Sequence, residues 1–231
     1  MKKPVVDYRK LRLSNINTPE FSHLKYLLGW VGYFCLYFLT ENLIPYERCT
    51  PVHIALDDLV PFDERWVIFY TFWYALLVFS LLIFLLYDVK SFTKLQIFII
   101  ITQVIAMTVY IVWPNRQDLR PEVFPRDNFL TRVIAFIYSF DTSTGVFPSL
   151  HVAYSVGIGS VWGKRKGTPV WQKALIWFFV VMISLSTAFV KQHSVADIFS
   201  GAALGILTEA LVYGKDWWLP RLRGKKGKQG A

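Results

Sequence analysis

Six stretches of this 231-residue chain come close to the length and apolarity that a helix needs to cross a lipid bilayer. A crossing takes about 20 mostly apolar residues, because hydrocarbon offers no partner to a stray backbone N–H or C=O. The stretches are residues 27–44, 66–87, 95–113, 150–162, 174–190 and 195–213, the fourth being short and interrupted by glycines. Apolar residues make up 54% of the chain and the mean hydropathy is +0.38, and they lie in blocks rather than at the spacing of a soluble core. We therefore expect an all-α, polytopic membrane protein, a bundle of six transmembrane helices. Residues 1–25 form a basic N-terminal segment, 26–214 the membrane domain, and 215–231 a basic tail. No small-residue cleavage pattern follows the first apolar run, so it is expected to stay as a span.

Charge gives the orientation. Of the 25 Lys and Arg residues, eighteen fall in the two tails and in the loops after the second and fourth stretches, and seven on the other side. Lys90 and Lys94 separate the second and third stretches, and Lys164, Arg165, Lys166 and Lys173 the fourth and fifth. The alternate loops carry Glu47, Asp57, Asp58, Asp63, Glu64, Asp118, Glu122, Asp127 and Asp141. Basic loops stay in the cytoplasm, so both termini are expected there, with the acidic loops outside. The net charge of +9 thus points to anionic lipid headgroups at the tails, Arg221 to Lys228 above all, and not to nucleic acid. Trp66, Trp113, Trp162, Trp217 and Trp218 mark stretch ends, as an interfacial belt would. The pairs Gly159/Gly163 and Gly201/Gly205 allow close helix approach. Cys35 and Cys49 lie in a span and a loop, so no disulfide is expected, and Cys49 with His53 supplies too few ligands for a metal.

Three polar stretches interrupt the pattern, all on the outer face: 114–121, 147–151 and 191–197. His193 lies only two residues beyond Lys191 at the end of the fifth stretch. Ionisable groups so near a membrane carry function by default. Together the residues spell phosphoryl transfer. A neutral imidazole attacks phosphorus, His193 here, oriented by Asp197 four residues on. His151 protonates the leaving oxygen. Arg116, Arg120, Lys191 and Ser149 would bind the phosphate, whose oxygens need fixed cations and donors. The scheme asks for no metal and no cofactor.

At these residues the sequence resembles the type-2 phosphatidic acid phosphatase superfamily. Its signatures are Lys-x6-Arg-Pro, Pro-Ser-Gly-His and Ser-Arg-x5-His-x3-Asp. The first is present as Arg120-Pro121, with Trp113 in place of the lysine; the second as Pro148-Ser149-Leu150-His151, with leucine for glycine; the third as Ser186-Thr187, His193 and Asp197, with threonine for arginine. The resemblance spans roughly residues 26–214. It implies a six-helix lipid phosphate phosphatase with a phosphohistidine on His193, His151 as leaving-group acid, and Arg120 and Ser149 as phosphate ligands. Pro-Ser-Leu-His also looks like the inositol phosphorylceramide synthase branch, which passes a phospho-headgroup to a lipid alcohol.

The expected function is hydrolysis of a membrane lipid phosphate, of phosphatidic acid or polyprenyl diphosphate type, at the outer face. The alternatives are headgroup transfer to an alcohol and non-catalytic binding of an anionic lipid. The oligomeric state stays open.

Overall fold

A computed structural model describes residues 3–221 and is mostly helical. Its helices are α1 (Leu28–Leu43), α2 (Ala55–Leu59), α3 (Val67–Tyr87), α4 (Val89–Val112), α5 (Phe129–Phe140), α6 (Leu150–Lys164), α7 (Val170–Phe189) and α8 (Val195–Tyr213). A π-helical turn, Gly214–Trp218, carries the last helix on to Arg221. Among the described residues, four helices are long and apolar enough to cross a membrane: those of α3, α4, α7 and α8. The first expected span, α1, has 16 residues and the fourth, α6, has 15.

The expected spans match helices closely, with one correction. Lys90 and Lys94 do not sit in a loop but in the first turns of α4, which begins at Val89. Asp88 alone joins α3 to α4, and its carboxylate accepts from Ser91 N (3.1 Å) and Ser91 Oγ (2.9 Å). Such an N-cap satisfies donors that a helix start leaves free, so α4 needs no longer lead-in.

The core forms where α6 packs against α4, α7 and α8, and α3 against α4 and α7. Eleven of the fifteen α6 residues are buried. None of the sixteen in α1 is. A smaller cluster joins Val67 and Tyr70 of α3 to Ile134 and Ile137 of α5 and to Val190. Asn128 starts α5 by accepting from Thr131 N while Thr131 Oγ1 accepts from Asn128 N, both at 3.0 Å. A two-residue parallel ladder, β1 (Thr50–Pro51) against β2 (Asn115–Arg116), ties the chain after α1 to the chain after α4.

One end carries a cluster of ion pairs between helices. Lys94 bonds the Val212 carbonyl (2.7 Å) and Asp216 (2.8 Å), Arg165 meets Asp88 (3.1 Å), and Lys164 pairs with Glu209. The N-terminal segment docks at this end too, through Val5 N to Leu86 O (2.8 Å) and Tyr8 OH to Leu85 O (2.8 Å). The basic residues Arg223, Lys225, Lys226 and Lys228 lie outside the described residues, as does Lys2.

Small residues set the contact of α8 with α6. A Cβ on Gly201 would lie 2.5 Å from the Ser149 carbonyl oxygen, and one on Gly205 2.8 Å from Val156 Cβ. Backbone oxygen cannot rotate away, so Gly201→Val should destabilise the protein by about 1–3 kcal/mol, the usual cost of overpacking. Gly32→Ala, where a Cβ meets nothing within 4 Å, should melt near wild type. Thermal unfolding in detergent compares the two, and equal melting temperatures would refute the close contact.

Candidate active site

The turn between α7 and α8 is built almost entirely from buried polar groups. Thr187 O accepts from both Gln192 N (2.9 Å) and His193 N (3.1 Å), closing the end of α7. Lys191 takes a left-handed conformation (φ 52°), the position where glycine usually ends a helix. Ser194 caps α8, its Oγ accepting from Ala196 N (3.1 Å). Asp57 arrives from α2 and accepts from Ser194 Oγ (2.7 Å), Val195 N (2.7 Å) and Ile54 N (2.8 Å). On the first turn of α8, Asp197 Oδ2 accepts from Ser194 N (3.0 Å) and from His193 Nδ1 (3.2 Å). A carboxylate only accepts, so Nδ1 is the donor, and in the neutral ring the lone pair is then on Nε2.

His151 stands opposite. It is the second residue of α6, whose N-cap is Ser149. Its ring lies 4.8 Å from that of Tyr70 and 4.3 Å from that of Trp73, both on α3. The His193 ring is 5.6 Å away, tilted 65°. His151 Nε2 is buried and has no hydrogen-bond partner. Both imidazoles line a cavity of about 310 Å³, together with Asp141, Gln192 and a wall of aromatic side chains. No described residue lining it is Lys or Arg.

The expected phosphate ligands divide. Arg120 adjoins the site through Gln192 Oε1 (2.5 Å), and otherwise donates to the carbonyls of Asp141 (2.6 Å) and Thr142 (2.9 Å). It lies over the Tyr138 ring at 4.3 Å. Its Nε is buried without a partner, and burial pulls its guanidinium pKa down. Ser149 is fully buried; its Oγ accepts from Val152 N (3.4 Å) and its N donates to Asp197 O (3.3 Å), so it braces Asp197 from behind.

Arg116 and Lys191 are engaged elsewhere. Arg116 bonds Asp118 (3.0 Å) and the carbonyls of Tyr46 (3.0 Å) and Cys49 (2.9 Å). Lys191 Nζ donates to Asp57 O (3.1 Å) and Val60 O (2.5 Å), with burial lowering its pKa. At the two positions where the resemblance lacks a cation, Trp113 packs edge-on to Phe147 (5.4 Å) and Thr187 Oγ1 bonds Ser184 O (2.8 Å).

Asp141, Gln192 and the aromatic wall of the cavity were not foreseen. Asp141 Oδ2 accepts from Tyr70 OH (2.8 Å) and Gln192 Nε2 (3.2 Å). Burial pushes its carboxyl pKa up, opposed by Tyr70, His193 and Arg120. Nothing local in the sequence separates Asp141 from a solvated loop acid. The aromatic wall did leave a signal, since Trp30, Tyr33, Phe34 and Tyr37 recur at helical spacing along α1. No family model, curated protein or solved structure matches the chain.

The bonds of Lys191 make it a support of the turn. Lys191→Ala should leave two carbonyls short of a donor and lower stability by about 1–3 kcal/mol. Lys191→Gly should cost roughly 1 kcal/mol less, since glycine tolerates the left-handed backbone. Melting both variants in detergent checks the order; an alanine variant that melts like wild type would remove the support role, and one milder than glycine would remove the backbone argument.

Proposed function

We propose that this chain is an integral membrane enzyme that cleaves a lipid phosphate ester through a covalent phosphohistidine on His193. The observation that carries the reading is the pair of facing imidazoles, with Asp197 holding one nitrogen of His193 and leaving the other free beside the cavity. At 5.6 Å between ring centres, one phosphoryl group can touch both rings. His193 Nε2 attacks phosphorus and Asp197 stabilises the imidazolium that forms. His151 gives a proton to the departing oxygen, then takes one from the acceptor. Arg120 is the nearest cation to the developing charge. The reading agrees with the resemblance to the type-2 phosphatidic acid phosphatases in every residue that makes or breaks a bond.

We place the protein in the membrane as a six-span bundle with both termini in the cytoplasm and the site at the outer face. Two short helices are compatible with this. A 3₁₀ turn, Ser22–Leu27, extends α1 directly, and α6 is sheathed by α4, α7 and α8, so lipid does not set its length.

Water as acceptor makes the enzyme a phosphatase. The lack of Lys and Arg among the described lining residues favours a second reading, transfer of a headgroup phosphate to a lipid alcohol. A monoester carries about −1.5 to −2 at neutral pH, more than Arg120 alone offsets, whereas a diester carries a single charge.

His193→Ala should abolish the covalent intermediate. His151→Ala should slow its formation by about 10²–10⁴-fold, with partial rescue by an aryl phosphate ester whose leaving group needs no proton. Chelators should leave turnover unchanged; loss in EDTA, restored by a divalent ion, would sink the scheme. Orientation has its own test. In a background without Cys35 and Cys49, a cysteine at Asp127 should react with an impermeant thiol reagent on intact cells, and one at Lys166 should not. The reverse pattern would invert the topology.

A further inference from the structure

The cavity in front of the histidines is unsuited to a bare phosphate and well suited to a cation. Aromatic side chains from two sides enclose it: Trp30, Tyr33 and Tyr37 from α1, Trp73 and Tyr74 from α3. Their rings lie close to one another, Tyr33 and Tyr37 at 6.0 Å and Trp73 and Tyr74 at 4.9 Å between centres. Asp141 adds a carboxylate whose Oδ2 is held by Tyr70 and Gln192, while Oδ1 has no hydrogen-bond partner among the described residues. Before either imidazole is protonated, Asp141 is the one formally charged side chain among the described lining residues, so the fixed charge at the cavity wall is negative. Aromatic faces with an adjacent carboxylate bind alkylammonium groups. The volume, about 310 Å³, is at the small end of ligand pockets, roughly 300–1,000 Å³, and fits a headgroup rather than an acyl chain.

We propose that the cavity is a cage for an alkylammonium headgroup, and that the substrate is a zwitterionic phospholipid, a phosphodiester joining a lipid alcohol to a choline- or ethanolamine-type alcohol. The proposal rests on the phosphohistidine reading above. His193 Nε2 forms the N–P bond as the bond from phosphorus to the lipid oxygen breaks, and that oxygen takes the proton of His151 and leaves as a neutral alcohol. The phospho-headgroup stays on His193 with its ammonium in the cage. An acceptor hydroxyl then gives its proton to His151 and bonds phosphorus as the N–P bond breaks. Holding the headgroup rather than the lipid lets the first alcohol depart while the transferred group stays in register.

Two measurements on the full chain in detergent test this separately from the chemistry. In the first, choline is titrated against tryptophan fluorescence, with 3,3-dimethylbutan-1-ol as its uncharged isostere. Choline should bind saturably and at least about tenfold more tightly than the isostere, and Tyr33→Leu or Asp141→Asn should each weaken it by about tenfold. Equal binding of the two in the wild-type protein overturns the cage without needing any variant to fold. In the second, the His193 adduct is trapped from lipids bearing choline, ethanolamine, inositol or no headgroup. Adducts from either alkylammonium lipid support the proposal. Adducts from phosphatidic acid or the inositol lipid alone overturn it and leave the histidine reading standing. Choline binding that persists in His193→Ala, with no adduct from any lipid in the wild type, overturns the histidine reading and with it this choice of substrate, leaving a cation site alone.

Discussion

Two buried carboxylates at the start of α8 hold the site end together. Asp57 is 2% exposed and Asp197 not at all, and charges so placed are tolerated only when donors surround them. The first turn of a helix supplies such donors, together with the positive end of its dipole. Asp57 takes Val195 N and the Ser194 hydroxyl, and Asp197 takes Ser194 N and the His193 ring. Lys191 completes the arrangement by binding backbone of the α2 segment. The long loop between α1 and α3 is thereby fastened to the α7–α8 turn, and the nucleophile candidate inherits its position from a residue more than a hundred places earlier. The like charges of the two acids would repel each other without those shared donors.

The long apolar helices were legible because lipid would impose one rule on every backbone group that enters it. That rule places the boundaries of α3, α7 and α8 within a few residues of the helices observed, and its failure at Lys90 has a local cause, the cap at Asp88. His193 and Asp197 were legible as a pair through their spacing of four, although His193 lies in the turn before the cap of α8 rather than on its face, and His151 through its place at the start of the fourth apolar stretch. The direction of long side chains was not. Lys191 and Arg116 sit at the right places in the chain for a phosphate ligand, but their stems reach backbone carbonyls that no local pattern encodes. Helix α5 was hidden for another reason: at 12 residues it is too short for a span and buries only one stripe, Thr131, Ile134 and Ile137. The use of Asp57 and Asp141 depends on tertiary approach alone.

The cavity also separates two tasks that a list of motif residues merges. The two imidazoles and the carboxylate that orients one of them come from α6, the α7–α8 turn and the start of α8. Groups that define the space in front of them come from α1, the first half of α3 and the chain between α5 and α6. Rings at these positions give a site its electrostatic preference through their quadrupoles, with no charge to bury. Arg120 bridges the two sets, since it anchors the carbonyls after α5 and reaches Gln192 beside His193.

That α1 buries none of its residues has a consequence for how such a protein can change over generations. Substitutions at positions outside a packed core usually alter stability by no more than about 0.5 kcal/mol. Those in α6 face neighbours on all sides and are tolerated far less. A lineage can therefore exchange the more exposed rings of α1, such as Phe34, at little cost in stability, redrawing the cavity wall while the residues behind it stay unchanged. Change in the cavity wall would then be written in α1 and constancy behind it in α6 and α8, two records kept in one chain at different rates.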